Sequence, residues 1–340
     1  MEALAEPLVV RRLREFKDDV LNREADTMRV LARRWLRVEE ALEAQITALS
    51  EQIARMQAAG QTISPARIYR LERFHKLLSQ SQAEFSKYAA WSDGVISAGQ
   101  TQFAMMGIEH ANEALGLITT GIQWDRLNID AVNNMIGMVG DGEPLGDLLN
   151  LRMVKDASGL PLPGVSERLA QTLVNASAQG WNPRRTARLI RDDLAGGLDK
   201  ALQIARTESL RTYREASRAQ YEASGVVSGV QRLCAHQRNT CLACLSDEGH
   251  VYPVETGVPD HVMGRCGSIP VLRGEKPPKM QTGEQWLATQ DEQTQRTVMG
   301  NTRFEAWKSG KVKFADFATP TQHEVWGGGI KVTPVRDLNA

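Results

Sequence analysis

The sequence predicts a mainly α protein with a small β-containing Cys/His module (α+β), which begins with a long antiparallel helical hairpin. Apolar residues recur at helical spacing early in the chain, short β-branched segments appear after residue 225, and three of the four cysteines lie between 241 and 266. A chain of 340 residues is too long for one ordinary core. We therefore expect four segments: a helical hairpin at 1–118, a helical domain at 119–225, the β-rich Cys/His module at 226–275, and a C-terminal helix with an extended tail at 276–340.

The composition excludes several classes of protein. Basic and acidic residues number 41 each, so the chain lacks the positive excess that a dedicated nucleic-acid binder usually carries. We find no apolar run that suits a signal peptide, and none of the ~18 residues that a membrane span needs. Few cysteines without a secretion signal indicate a reducing intracellular setting, where clustered cysteines more often bind metal than form disulfides. No motif for a phosphate, a small-molecule substrate or hydrolytic chemistry is present.

The first element is a helix over residues 9–57, because apolar residues follow one another in steps of three and four from Met28 to Met56. This spacing, near 3.5 residues, is typical of a coiled-coil seam. Gly60 is suited to end the helix. Ser64 and Pro65 are suited to begin a second helix that extends to about Lys87 or onward to about position 117. A short link between two long helices predicts an antiparallel hairpin.

Two interpretations of the seam are open. The simpler one is that the apolar stripe packs within the chain. The second is that it binds a partner protein, because a lone hairpin leaves much apolar surface uncovered. The candidate partner-binding residues are Leu31, Trp35, Val38, Leu42 and Leu49. His110, farther along the hairpin, is expected to be solvated or structural rather than a metal ligand.

The segment 119–225 is predicted to contain two helices in its second half. Asn182 and Pro183 begin the first, the Ala195-Gly-Gly sequence ends it, and the second runs from about position 199 to 224. Basic residues outnumber acidic ones between 184 and 218. The weak candidates for nucleic-acid contact, on one outer face, are Arg211, Arg214 and Arg218. The alternative is a solvated helix face.

The cysteine spacing predicts a structural zinc site. A C-x2-C sequence presents two thiolates to one ion, so Cys241 and Cys244 form the first pair of ligands, and His261 and Cys266 form the second. Short strands at about 226–233, 249–253 and 268–272 surround them. Other interpretations stay open: Cys234 or His250 in place of one ligand, a disulfide from Cys266 to Cys241 or Cys244, or free thiols without metal.

The same residues also allow an enzymatic interpretation. Asp260-His261 after a C-x2-C sequence resembles the start of an HNH-type nuclease or a toxin-like effector, in which the histidine activates water beside a metal. Such a site needs a further metal-binding residue on a following helix. The next histidine is His323, in the predicted tail, so we expect no enzyme activity.

Several short motifs, in their order along the chain, resemble those of the Mu F-type phage head morphogenesis family of minor head proteins. The residues that carry the resemblance are Gly180 to Pro183, Ile204 to Glu208, Tyr213 to Ala216, Cys241 with Cys244, Pro259 with His261, Arg265-Cys266 with Ile269-Pro270, and Trp286 to Lys311. They cover residues 165–320. One motif departs from the family: in place of His-Pro-x-Cys-Arg-Cys, Val262 stands in the proline position and Gly264 in that of the first cysteine.

The resemblance implies a structural role rather than an enzymatic one. It implies a minor component of a tailed-phage head, made in the host cytoplasm and located in the virion near the portal vertex, with a role in head assembly or in genome packaging or ejection. The expected partners are the portal protein, through the helical hairpin, and other head proteins. Packaged DNA is an expected contact of the face that carries Arg211, Arg214 and Arg218.

Overall fold

The computed structural model describes residues 6–119, 132–140, 142–154, 164–237 and 239–338. The helices are α1 (Leu8–Ala58), α2 (Pro65–Ile68), α3 (Glu72–Ile118), α4 (Leu145–Met153), α5 (Val165–Ala178), α6 (Pro183–Ala223), α7 (Leu242–Ser246), α8 (Gly283–Ala288), α9 (Glu292–Met299) and α10 (Asn301–Lys308). The strands are β1 (Met138–Val139), β2 (Glu143–Pro144), β3 (Val227–Leu233), β4 (Val251–Pro253), β5 (Gly267–Leu272), β6 (Ala318–His323) and β7 (Gly327–Val332). The predicted fold class, mainly α with small antiparallel sheets and a Cys/His cluster, is confirmed.

Contacts within the chain group it into two compact units, each assembled from separate stretches. The module unit comprises Met1–Glu24, Gly99–Gly142 and Thr207–Ala340, and the helical unit comprises Ala25–Ala98 and Glu143–Arg206. The long helices α1, α3 and α6 contribute residues to both units. The grouping therefore cuts across the four contiguous segments expected from the sequence.

The two long N-terminal helices run antiparallel, as predicted. Helix α1 begins and ends within one residue of the expected 9–57. In the helical unit Gln80 donates a hydrogen bond to the carbonyl of Ala41, and the hydroxyl of Tyr88 donates one to the carbonyl of Leu31. Later residues of α3 thus meet earlier residues of α1. The second helix is interrupted near its start, because α2 ends at Ile68 and α3 begins at Glu72.

The seam of the hairpin is an internal core. Its five candidate residues are at most 5% exposed; they are Leu31, Trp35, Val38, Leu42 and Leu49. The indole of Trp35 lies against Phe85 and Tyr88, with ring centroids 5.0 and 4.9 Å apart. Side chains buried in this way have no surface to offer a partner. The partner-binding assignment of the seam is therefore corrected to the intramolecular interpretation.

Helix α6 is continuous from Pro183 to Ala223, so the predicted end at Gly196-Gly197 is wrong. The physical reason is the close packing around Gly197. A Cβ atom placed there would lie 2.8 Å from the ring of Trp35 and 3.0 Å from that of Phe85. This glycine admits bulky aromatic neighbours inside a helix and does not terminate it.

A three-stranded antiparallel sheet in the order β4-β3-β5 forms the centre of the module unit. Along the pairing of β3 with β5, Arg232 lies opposite Ser268 and Leu233 opposite Gly267. The beginning of α1 contributes Leu13 and neighbouring apolar residues to the same core as the strand residues. The N-terminal helix is therefore part of the packing that supports the Cys/His module.

The C-terminal region contains more regular structure than the single helix and extended tail that the sequence predicts. The predicted helix at 284–299 is divided into α8 and α9, because Asp291 caps a new helix by accepting a hydrogen bond from the N–H of Thr294. Helix α10 follows, and then β6 and β7 pair as an antiparallel hairpin in which Pro320 lies opposite Ile330. The glycine-rich end of the chain is thus a strand.

Most of the predicted linker between Gly159 and Gly164 lies outside the described residues. Within the part of the chain that the structure covers, no helix combines the length and the apolar character needed to cross a membrane.

Candidate metal centre

Three of the four predicted ligands meet in one place. The sulfur atoms of Cys241 and Cys244 and a ring nitrogen of His261 all lie within 4.8 Å of one another. The Sγ of Cys244 is 3.2 Å from Nε2 of His261. Two thiolates and an imidazole at such distances are a donor set that suits zinc. These three residues can hold a metal ion.

The local structure explains why these three side chains converge. Cys241 caps the one-turn helix α7, and Cys244 lies within it. The N–H of Leu245 donates to the carbonyl of Cys241, which closes the turn and places both thiols on the same side. His261 lies in the loop between β4 and β5. Its Nδ1 is 2.9 Å from the carbonyl oxygen of Val262. That contact orients the ring and leaves Nε2 for a metal.

Cys266, the predicted fourth ligand, lies outside this three-residue group, although its thiol shares a hydrogen bond with that of Cys244. Its sulfur lies 3.6 Å from that of Cys234, which precedes the cluster in sequence. The sheet register explains the placement: Leu233 is opposite Gly267, and the next facing pair is Cys234 and Cys266. His250, the possible replacement ligand, lies against Tyr252 instead, with ring centroids 4.5 Å apart and the ring planes tilted by 47°. All four cysteines are free thiols.

The hydrogen bonds within the cluster favour ionised forms of Cys241 and His261. The hydrogen bond from Cys244, with a further one from His261, lowers the pKa of the Cys241 thiol to about 4 against the effect of burial. The hydrogen bond with Cys241 raises the pKa of His261 to about 9, also against burial. A thiolate is the form that binds metal, whereas imidazole binds when neutral. Uptake of a cation would therefore release the His261 proton.

Arg232 supports the cluster from the central strand β3. Its side chain is completely buried, and its Nε donates to Asp247 at 2.6 Å. One terminal nitrogen donates to the carbonyl of Pro259 and the other lies 3.9 Å from the sulfur of Cys244. Burial acts to lower the pKa of Arg232, but the nearby acidic groups of Cys266, Cys244, Asp260 and Asp247 together outweigh it and raise that pKa. The guanidinium thus holds both segments that supply ligands.

The residues around His261 explain why a glycine occupies position 264. A Cβ atom at Gly264 would collide with the carboxylate of Asp260. That carboxylate pairs with Arg214 at 2.7 Å, and Arg214 also donates to the carbonyl of Gly264 at 3.0 Å. Position 264 is therefore filled by an ion pair, and only glycine fits there.

The three arginines proposed for nucleic-acid contact form ion pairs with carboxylates of the same chain. Each forms a pair of 2.9 Å or less, and their side chains are 16–24% exposed; the pairs are Arg211 with Glu208, Arg214 with Asp260, and Arg218 with Glu215 and Glu222. Paired and largely covered guanidinium groups have little charge left for phosphates. These ion pairs do not favour the assignment of this face to DNA, which stays a prediction.

Glu208 is the most deeply buried carboxylate of this region, with no exposed surface. Burial raises its pKa, and Arg211 opposes that effect. One carboxylate oxygen pairs with Arg211 at 2.8 Å, and the other accepts a hydrogen bond of 2.6 Å from the indole of Trp326. The turn between β6 and β7 thus contacts helix α6. The same hairpin reaches the ligand loop, where the N–H of Ile330 donates to the carbonyl of Asp260.

Sequence reasoning missed the residues that hold the cluster in place. Nothing in the local pattern pairs Arg232 with Asp247 or Trp326 with Glu208, because each contact joins segments far apart in the chain. The weak signal for Arg232 in the sequence is a charged residue within a segment that is otherwise predicted to be a short buried strand. No local signal identifies Trp326.

No protein-family profile, curated protein or solved structure matches this chain.

Proposed function

We propose that this chain is a structural minor head protein of a tailed phage, in which a metal-stabilised module serves assembly near the portal vertex rather than catalysis. The observation that supports the proposal is the convergence of the motifs that carry the resemblance. Thr207 accepts a hydrogen bond of 3.1 Å from the N–H of Met263, Arg214 pairs with Asp260, and Cys241 and Cys244 meet His261. Motifs that are distant in sequence form one small structure, as expected of a shared domain.

The metal we propose is zinc, in a structural role. The module is divided among short segments, and its ligands come from α7 and from the loop before β5. An ion bound by both segments would fix their relative position, and in small modules metal binding contributes folding free energy directly. The fourth coordination position of the zinc would be filled by water, or by the thiol of another cysteine after a rearrangement.

Elemental analysis of the purified protein tests the metal. We expect about one zinc per chain in the wild type, loss of most of it in Cys241→Ser, and retention in Cys234→Ser, because Cys234 lies outside the three-residue group. Circular dichroism of both variants separates loss of metal from loss of fold. Zinc-free wild-type protein, or equal zinc in all three proteins, contradicts the site.

Particle composition tests the biological role. In heads assembled from the phage genome that encodes the chain, mass spectrometry should find it at a small fraction of the abundance of the major shell protein. It should remain with portal-containing fragments after the shell is disrupted. Absence from purified heads, or an abundance equal to that of the shell protein, contradicts the proposal.

A metal-dependent nuclease is the second candidate, and one observation favours it. Catalytic zinc sites keep three protein ligands and an open position, which is the number of ligands that converge here. Purified protein with added zinc or manganese should then nick supercoiled plasmid, and His261→Ala should abolish nicking while the exposed His250→Ala retains it. Absence of nicking, or nicking that survives His261→Ala, removes this candidate.

A further inference from the structure

Cys234 and Cys266 are placed as a cross-strand pair. They occupy the facing positions immediately beyond the last paired residues of β3 and β5, Leu233 and Gly267. Facing residues of antiparallel strands have Cβ atoms about 4.5–5.5 Å apart, close to the separation that a disulfide spans. Their sulfur atoms are already 3.6 Å apart. Bond formation therefore needs only a small movement of side chains.

The pair lies beside the metal-binding group, because the thiols of Cys266 and Cys244 share a hydrogen bond, but neither member of the pair belongs to the group. Cys241, Cys244 and His261 form a cluster without either residue. Cys234 is completely buried, and its thiol donates to the carbonyl of Cys244 at 3.1 Å. Oxidation of this pair would leave all three of the converging ligands in place.

A small oxidant has room beside Cys266. The residue lines a cavity of about 30 Å³ that is also lined by Lys17, Arg214 and Arg265. A water molecule needs at least about 10–15 Å³ of such space, so the cavity accommodates two oxygen atoms. Hydrogen peroxide is of that size. Cys266 is 7% exposed and Cys234 is not exposed, which makes Cys266 the sulfur that meets the oxidant first.

We propose that Cys234 and Cys266 are an oxidisable thiol pair, which a peroxide of small size converts to a cross-strand disulfide independently of the metal group. The sulfur of Cys266 attacks one peroxide oxygen, the O–O bond breaks, and a sulfenic acid and one water form. The sulfur of Cys234 then attacks that of Cys266, the S–O bond breaks, and the hydroxyl leaves with the Cys234 proton as a second water. Each sulfur loses one electron and the peroxide gains two.

Disulfide mapping of the full-length protein tests the pair. Protein treated with equimolar hydrogen peroxide is alkylated, digested without reductant and analysed by mass spectrometry. We expect the peptides of Cys234 and Cys266 to be joined in most molecules, with Cys241 and Cys244 alkylated, and dithiothreitol to reverse the link. Metal-loaded and chelator-treated samples should give the same result.

Two variants sharpen the test. Cys234→Ser should abolish the link and drive Cys266 to sulfinic acid, whereas Cys241→Ser should keep the link. Disulfide mapping of the wild-type protein tests the proposal even if a variant fails to fold. Three results would overturn the proposal: no link in wild-type protein, a link that joins Cys266 to Cys241 or Cys244, or a link that forms only after chelation. The last of these results would assign Cys266 to the metal. Zinc content is measured separately, so failure here leaves the assignment of Cys241, Cys244 and His261 as ligands unchanged.

Discussion

The guanidinium of Arg232 contacts three separate parts of the module: the carboxylate of Asp247, the carbonyl of Pro259 and the thiol of Cys244. It is buried on the central strand, and each contact fixes a segment that carries or precedes a ligand. Removing one partner of a buried ion pair leaves the other without compensation, which costs more than the pair itself contributes. At the scale of single residues, this arginine is the group on which the geometry of the cluster depends most.

Replacing Arg232 with methionine should lower the free energy of unfolding by about 3–5 kcal/mol, since Asp247 loses its cationic partner and keeps only the hydroxyl of Tyr252, and the carbonyl of Pro259 loses the guanidinium donor. Urea unfolding followed by circular dichroism measures the change. The matched control is Arg273→Met, an exposed arginine of the same module, for which we expect a change within about 0.5 kcal/mol. Similar small effects of both substitutions would show that the contacts of Arg232 are dispensable.

His110 should make stability depend on acid pH. Its ring stacks on Phe16, and Nδ1 is 3.0 Å from the hydroxyl of Tyr213. Burial, together with the charge of Arg12 and against those of Asp19 and Glu113, lowers the pKa of His110 from 6.5 to about 4. The unfolded chain thus takes up a proton at a higher pH than the folded one. The contribution is fully present above pH 6.5 and is lost as the pH falls towards 4.

Unfolding measured between pH 7 and pH 4 should show a smaller loss of stability in His110→Gln than in the wild type, because the variant has no imidazole to protonate at that position. The exposed His250→Gln serves as the control and should keep the wild-type slope. An unchanged slope in His110→Gln would contradict the assignment of the acid dependence to this residue.

At the scale of elements, helix α6 shows where a local pattern misleads. Two consecutive glycines predict a helix end, and the helix passes through them. The two positions differ in their surroundings: a Cβ atom at Gly197 would meet the rings of Trp35 and Phe85, whereas one at Gly196 would meet only the mobile end of Arg168. The need for glycine therefore arises from packing against another helix, which no window of sequence contains.

The two glycines should respond to alanine in opposite directions. Gly196→Ala should raise the free energy of unfolding by up to about 1 kcal/mol, because alanine favours the helical backbone. Gly197→Ala should lower it by about 1–3 kcal/mol, because the new methyl group overpacks the contact with Trp35. Denaturant unfolding of the two variants side by side measures both. A shift of the same sign in both would contradict the packing explanation.

The sequence predicts correctly those elements that depend on interactions between residues close together in the chain. The ends of α1 were predicted within one residue, because apolar periodicity and the glycine that follows it lie within the same stretch. The spacing of Cys241 and Cys244 likewise follows from a single turn of chain. The position of Cys266 depends on the register of two strands, and the role of Trp326 depends on a hairpin far from Glu208. Those relations are set by tertiary packing, which sequence spacing does not encode.

At the scale of the whole molecule, the beginning of α1 belongs to the core of the module unit. Leu13 packs in the same cluster as Val230 and Ile269, and Lys17 donates to the carbonyl of Leu233. A large N-terminal deletion would therefore remove part of the support for the sheet as well as the hairpin. Point substitutions are the sharper means of testing what the hairpin does.

Leu13→Ala should lower the free energy of unfolding by about 2–5 kcal/mol and increase hydrogen exchange in β3, since the side chain is 6% exposed in the shared core. Leu8→Ala, at a leucine of the same helix that is 57% exposed, should change stability by less than about 0.5 kcal/mol and leave β3 protected. Unaltered exchange in β3 of Leu13→Ala would show that the sheet folds without α1.

The contact between Glu208 and Trp326 has a consequence for synthesis of the chain. The carboxylate is translated 118 residues before the indole that completes its hydrogen bonds. Until that indole leaves the ribosome, one oxygen of a group with no exposed surface has no donor from the β6–β7 turn. The nascent module thus lacks this hydrogen bond until Trp326 has been translated. Chains that stop before Trp326 therefore leave one oxygen of the buried Glu208 carboxylate without this donor, which is a defect at α6.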